Sequence, residues 1–580
     1  MAVTGDRWIT DWPVCERFPL YTRANAGEVM PDPASPLAWT LVWEPALLAG
    51  WVDCALDVGF VTRAEMPHDD VVGSFGGYLY INASATRLFG VRGPGLTPEM
   101  IDYTYFGEHP DVPPYEPEPW HESEAATAAI TAWMGAVVAA DDLPVLRVER
   151  DKAAAARASR PDLTTLADEQ LIDHARSFLP LLRELFARHI DITAGASIGP
   201  GILAGVAEAL GDPSMPMRLV SSVGDVDSAA PSQAMWEIAR LVRASPALTA
   251  IFDDVAASGV GFDALIERVR ASNDPKAATA RNAFRALIEQ YGSRGPNEWD
   301  IRSEVWETKP ALVVALIDRM RHQGDDDGPL VRNAMRAADR TALTEHVEAA
   351  LASQPDALAQ FQAGLRSSHV YLAGRERSKT TIIRVLHEVR MAVRELGARH
   401  GYSLSGITML LADEIDAFLT DPSEFRARLA SREQQYLELY DLDPPFIVNK
   451  VVPPLSEWPR RSASTIAKAV VGEVLTGVPG CPGVATGRAR VILDPADPSA
   501  LDPGDVLVAP ITDPAWTPLF VPAAAVIVDV GAQVSHAVIV SRELGIPCVV
   551  SVTDATRRIP DGALIRVDGG TGTVTIVELA

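Results

Sequence analysis

Hydrophobic positions along the chain change their spacing from one region to the next. Up to about residue 120 they come in short runs such as Gly77-Tyr-Leu-Tyr-Ile-Asn82, set among Pro, Trp, Tyr and Gly. That texture predicts short strands and ordered loops. From about 122 to 440, Ala, Leu, Arg and Glu recur with a 3.6-residue period, and 166–188, 234–245, 310–321 and 380–399 read as amphipathic helices. Pro444, Pro445, Pro453, Pro454 and Pro459 then stiffen a stretch that runs to Gly480. Beyond it, β-type runs at 488–493, 506–509, 525–530, 548–552, 564–567 and 574–579 alternate with turns and one helix. The pattern predicts a multidomain α+β protein. A β-containing portion over 1–120 precedes a large, mainly α-helical domain over 121–440, a Pro-rich flexible connector over 441–480 and an α/β domain over 481–580.

Composition narrows the function. A chain of 580 residues exceeds a single core, and its formal net charge of −26 lacks the basic stripe that nucleic acid requires. The same charge disfavours an anionic membrane surface. Cys15, Cys54, Cys481 and Cys548 form no CxxC pair and read as reduced thiols. With no uninterrupted apolar run of about 18 residues and no leader pattern, no membrane span and a cytoplasmic location are expected. No GxxxxGK[ST] run is present; Gly199-Pro-Gly-Ile-Leu-Ala-Gly205 reads as a loop joining helices, and Asp325-Asp-Asp-Gly328 as a solvated loop.

The chemistry concentrates after Val526. A buried strand ends near Val530, Gly531 permits a turn, and Ser535 stands where a helix N-cap belongs. An apolar helix follows, until Gly545 and Pro547 stop it. His536 then falls in the first turn, where backbone N–H groups lack intrahelical partners and the helix dipole favours negative charge. A neutral imidazole is nucleophilic, and its phosphoramidate can pass a phosphoryl group onward. For a lone helix-start histidine, a core or capping role is the commoner outcome.

The surroundings reverse that preference. Gly531, Ser535, His536, Ala537 and the run Arg542-Glu-Leu-Gly-Ile-Pro547 resemble the signature of the mobile domain of phosphoenolpyruvate-utilising enzymes. Pro482-Gly483, Gly487-Arg-Ala-Arg-Val491, Thr512-Asp-Pro-Ala-Trp-Thr-Pro518 and Asp568-Gly-Gly-Thr-Gly-Thr-Val574 extend the match. One departure is Ala532, where that family usually has a second glycine. The resemblance implies a swivelling phosphohistidine domain with His536 as carrier, supported by Ser535, Arg542 and Gly531.

The layout of the chain is similar to the rifampin phosphotransferase family, in which an ATP-grasp domain precedes a drug-binding domain and a terminal phosphohistidine domain. Thr22-Arg-Ala-Asn-Ala-Gly-Glu-Val29, Ser35-Pro-Leu-Ala-Trp39, Tyr291-Gly-Ser-Arg-Gly-Pro-Asn-Glu-Trp-Asp300, Arg375-Glu-Arg-Ser-Lys379 and Met409-Leu-Leu-Ala-Asp-Glu-Ile415 carry this second resemblance. It implies that Arg375 and Lys379, placed at i and i+4 on a helix that they open, are catalytic cations. A solvated basic face is the plain alternative. Arg23 and Glu28, and the pair Arg294 and Glu298, are candidate substrate-binding residues; that family often has His where Ser293 stands. Trp39, Trp43, Trp51, Tyr78, Tyr80 and Tyr103 are read as core before cavity lining. No ATP-grasp stretch and no phosphoenolpyruvate-binding barrel are found within the 580 residues. ATP and Mg²⁺ are therefore expected on a separate ATP-grasp subunit, as in phenylphosphate synthase, with a small hydroxylated molecule as acceptor and no metal site in this chain. The opposing expectation is a non-catalytic ligand-binding or regulatory relative.

Overall fold

Both units of the protein can be traced to where its apolar side chains find partners. The computed structural model describes residues 10–106, 111–212, 214–223, 230–258, 261–325, 328–461, 466–493, 501–512, 516–531 and 535–580. Asp326, Asp327, Asp513–Ala515 and Ala532, singled out above, lie outside them. The chain is a multidomain α+β protein. Its two compact units interleave in sequence: 1–198, 299–303 and 370–465 form one, and 199–298, 304–369 and 466–580 the other.

The first unit holds an antiparallel four-stranded sheet in the order Val72–Phe75, Tyr78–Asn82, Leu20–Thr22, Ile447–Asn449. Tyr21 pairs with Asn82 on one side and Val448 on the other, so residues from the expected connector complete this sheet. Helices missing from the expectation for residues 1–120 are also present: Ala49–Val58, Ala83–Arg92 and Pro98–Phe106, together with a widened helix over Ala38–Leu48 that contains Pro45. Ala38–Leu48 is buried on nearly all sides, so its sequence has no polar stripe to reveal a helical period. Trp39, Trp43, Phe186, Trp299, Ile382, Val385 and Val389 belong to the core, as do Tyr78 and Tyr80, while Tyr103 is exposed.

In the second unit, helices Ala230–Arg243, Pro246–Ser258, Phe262–Ala271, Pro275–Tyr291, Ala311–Met320 and Pro329–Leu351 accompany an eight-stranded sheet. The sheet runs Val474–Thr476, Thr573–Glu578, Leu564–Asp568, Val484–Val491, Val506–Ala509, Ala525–Val528, Cys548–Val550, Val478–Cys481. Val484–Val491 through Cys548–Val550 are parallel, with antiparallel strands on either flank. Alternate residues serve two cores. Val506, Val508 and Ile527 point into one; Leu507, Ala509, Val526 and Val528 join Met235, Val313 and Ile317 of the helices in the other.

Two expectations about glycine-containing segments are corrected. Residues 199–205 are not a loop but part of helix Ile198–Leu210, because the bare Cα of Gly199 lets that helix approach Gly364 and Ser368 closely. Arg375 and Lys379 do not open a helix; they lie within the 45-residue helix Pro355–Arg399. All four cysteines are free thiols. The helical run 168–210 contains a stretch apolar enough by length and composition to cross a membrane, a third of it buried. Leu182, Leu185, Phe186 and Ile192 in that run are core residues of the first unit.

Candidate functional site

His536 begins the nine-residue helix His536–Leu544. Ser535 caps it in extended geometry, its hydroxyl accepting from Val538 N at 3.4 Å, and Ile539 N donates to Ser535 O at 3.0 Å. The helix ends at Gly545 in the left-handed region, with φ 68°. Thr517 Oγ1 lies 3.1 Å from His536 Nε2, and the Phe520 ring stands edge-on to the imidazole with centroids 6.3 Å apart. Only 7% of His536 is exposed. Gly531 packs against Val528, Val550 and Ser535, so a side chain there would crowd the approach to the cap; its carbonyl accepts from the Ser551 hydroxyl. Arg542 and Glu543 are buried in the last turn. Helix Pro329–Leu351 reaches the far end of this element, where Arg336 Nη2 donates to Gly545 O at 2.6 Å.

Arg294 and Glu298, also in the second unit, form an ion pair at 2.8 Å with both side chains sealed from solvent. Gly292 and Gly295 beside them lack room for a side chain against Ile288 O and the Val305 backbone. The pair therefore ties a tight loop after helix Pro275–Tyr291.

Arg23, Glu28, Arg375 and Lys379 belong to the first unit. Arg23 is buried, and its guanidinium donates to the carbonyls of Leu79, Met30 and Pro31 at 2.6, 3.0 and 3.1 Å. These bonds brace the strand Tyr78–Asn82 against the loop that leaves Leu20–Thr22. Glu28 stands on the short helix Ala26–Val29.

Arg375 and Lys379 share a helix face with Ser378. Against this face stands His189, from helix Leu179–Gly195, with Nδ1 2.9 Å from Ser378 Oγ. Burial first, and then the Arg375 and Lys379 charges, push the His189 imidazole down to about 3, so it is neutral at physiological pH. The rings of Phe186 and Trp299 flank it at 5.9 and 6.1 Å. Sequence reasoning missed His189, Ser378, Trp299 and Thr517: nothing in Phe186-Ala-Arg-His-Ile190 distinguishes a site histidine from a core one.

With this geometry in place, comparisons with known proteins become informative. Residues 188–376 match the family described as rifampicin phosphotransferase fourth domain, and 501–572 match the PEP-utilising enzyme mobile domain. A rifampicin phosphotransferase of Streptomyces sviceus is 29% identical over 469 residues, covering 74% of this chain and 49% of that protein. The chain is thus similar to rifampicin phosphotransferases and to the mobile domain of PEP-utilising enzymes. An uncharacterized protein of Mycobacterium tuberculosis is 28% identical over 586 residues, 98% of this chain and 63% of its own length. A prodigiosin synthesizing transferase of Serratia marcescens is 25% identical over 443 residues, covering 72% of this chain and 46% of that one. The chain spans about half to two-thirds of the length of these curated relatives.

Proposed function

We propose that this protein transfers phosphoryl groups, with His536 as the covalent carrier and a small hydroxylated molecule as acceptor. The observation that carries the reading is the position of His536 at the first turn of a Ser535-capped helix. The positive end of the helix there favours a dianionic phosphoryl group on the ring. In the charging step, an imidazole nitrogen attacks the terminal phosphorus of the donor; an N–P bond forms and the donor's P–O bond breaks. In the second step the acceptor oxygen attacks that phosphorus, the N–P bond breaks, and its electron pair returns to the His536 ring.

Arg375 and Lys379 are assigned to the acceptor side, where two cations offset charge on the phosphoryl oxygens. Arg23, Glu28, Arg294 and Glu298 remain the candidate substrate-binding residues; the bonds of Arg23 and the Arg294–Glu298 pair also hold loops in shape. Among the described residues no cluster of three or more His, Cys, Asp or Glu has the makings of a metal site. ATP and Mg²⁺ are assigned to a separate ATP-grasp subunit, where the metal would offset nucleotide phosphate charge.

The test is covalent labelling. The full chain, incubated with β- and γ-labelled ATP and candidate ATP-grasp proteins, is expected to acquire an acid-labile, base-stable label that His536→Ala lacks. Equal labelling of His536→Ala would refute the carrier assignment.

A further inference from the structure

We infer that His189 is the base that takes the proton from the acceptor hydroxyl, in a site it shares with Arg375 and Lys379. The inference rests on the phosphoryl-transfer reading and adds to it a residue from a different helix.

Three observations support it. The first is the tautomer. Ser378 Oγ lies 2.9 Å from both Arg375 O and His189 Nδ1; with its one hydrogen given to the Arg375 carbonyl, Nδ1 is the donor of the other contact. Nε2 is then left with its lone pair. The same contact holds the ring in place, because Ser378 is itself buried.

The second is the charge around the ring. The charged groups acting on it are Arg375 and Lys379, both from helix Pro355–Arg399; the other neighbours, Phe186 and Trp299, are uncharged rings. Burial first, and then these two cations, keep the imidazole unprotonated. A phosphoryl group arriving between them offsets their field, and the same imidazole becomes a better base. Basicity therefore rises when the reaction needs it.

The third is polar vacancy. Trp299, 3% exposed and tilted beside His189, has its indole Nε1–H buried with no acceptor among the described residues. An orphaned donor of this kind is costly, and an oxygen-bearing acceptor molecule is a chemical class able to offset it.

The step balances. As the acceptor oxygen attacks phosphorus, its proton moves to His189 Nε2, the O–P bond forms and the N–P bond to His536 breaks. The His536 ring regains a proton from water, and His189 returns its own to water. No other reactant is needed.

The experiment has two arms on the full chain. In the first, the histidine Cε1 carbons are ¹³C-labelled, His189→Asn assigns the signal, and inorganic phosphate is titrated. The His189 signal is expected to stay neutral from pH 5 to 8 without phosphate. Saturating phosphate should move its midpoint up by about one unit or more, a response abolished by Arg375→Gln or Lys379→Gln. A midpoint indifferent to phosphate overturns the inference. In the second, His536 is phosphorylated with potassium phosphoramidate and the loss of label to water is timed. His189→Asn is expected to slow that loss by at least about tenfold while leaving phosphate affinity within about twofold; equal rates overturn the base role. Failure of the wild-type chain to label at His536 would count against the carrier reading alone, since the phosphate titration still decides the fate of His189.

Discussion

At the scale of single residues, charge is placed where burial makes it consequential. Arg294 and Glu298 are sealed together, so removing one partner strands the other. Arg294→Met or Glu298→Gln alone is expected to lower unfolding free energy by about 3–5 kcal/mol, whereas the double replacement Arg294→Met with Glu298→Leu should recover most of the loss. Denaturant unfolding of the three variants checks this. A single variant that folds with full stability but loses acceptor transfer would return the pair to a substrate role. Asp529 makes a second case. Burial raises its carboxyl to about 7 against the hydrogen bonds from Thr556, which favour the charged form. Its folded pKa lies above the unfolded value of about 3.9, so the stability this gives is full below about pH 4 and is lost as pH climbs through 7. Asp529→Asn, which stays neutral, is expected to lose less stability than the wild type between pH 5 and pH 8, read as the shift in urea midpoint.

At the scale of elements, helix His536–Leu544 depends on its two ends. Ser535→Ala removes the cap and is expected to cost about 1 kcal/mol, with a slower charging of His536 because the first-turn amides lose their ordering. Gly545→Ala meets two obstacles, a φ of 68° and the Arg336 guanidinium that occupies the space a Cβ needs. Adding Arg336→Ala should restore only the steric part, leaving about 1 kcal/mol of backbone strain. Unfolding curves separate the two terms, and full rescue by the second change would show that φ does not matter there.

These ends were legible in the sequence because capping is local: Ser535, Gly545 and Pro547 act within a turn of the helix they bound. The strands of the C-terminal domain were legible for the same reason, being short apolar runs fenced by turn residues. Other features depend on partners far along the chain. Leu20–Thr22 is a strand because Ile447–Asn449 lies beside it, and no local pattern announces that pairing. Gly199 and Gly364 look like helix breakers until their contact explains them. The candidate site divided in the same way: His536 and the Arg375–Lys379 spacing could be read directly, whereas His189 acquires meaning only when helix Leu179–Gly195 is laid against Ser378.

At the scale of the whole molecule, the proposed carrier histidine, 7% exposed, has to become accessible before it can react. In the second unit, Ala537, Val538 and Leu544 of the carrier helix share one apolar cluster with Trp306, Val313 and Ile317 of the helical part. Burial of this kind is non-directional and contributes about 25 cal/mol for each Å² removed from water, so it holds the carrier down without fixing a single seat. One directional tie is Arg336 to Gly545 O, and Arg340 of the same helix feels the charge of Glu543. A surface pair such as Arg319 with Asp502, at 3.5 Å and with Asp502 70% exposed, adds little. Opening has to break apolar contact and, with it, a charge-assisted hydrogen bond of about 1.5–3 kcal/mol. Arg336→Ala deletes the latter and touches neither His536 nor its cap. Its expected effect is a several-fold faster modification of His536 by potassium phosphoramidate, with secondary structure unchanged by circular dichroism. An unaltered rate would mean that the ring is reached by a local movement of Thr517 and Phe520, and the carrier would not need to leave its helical bed to be charged.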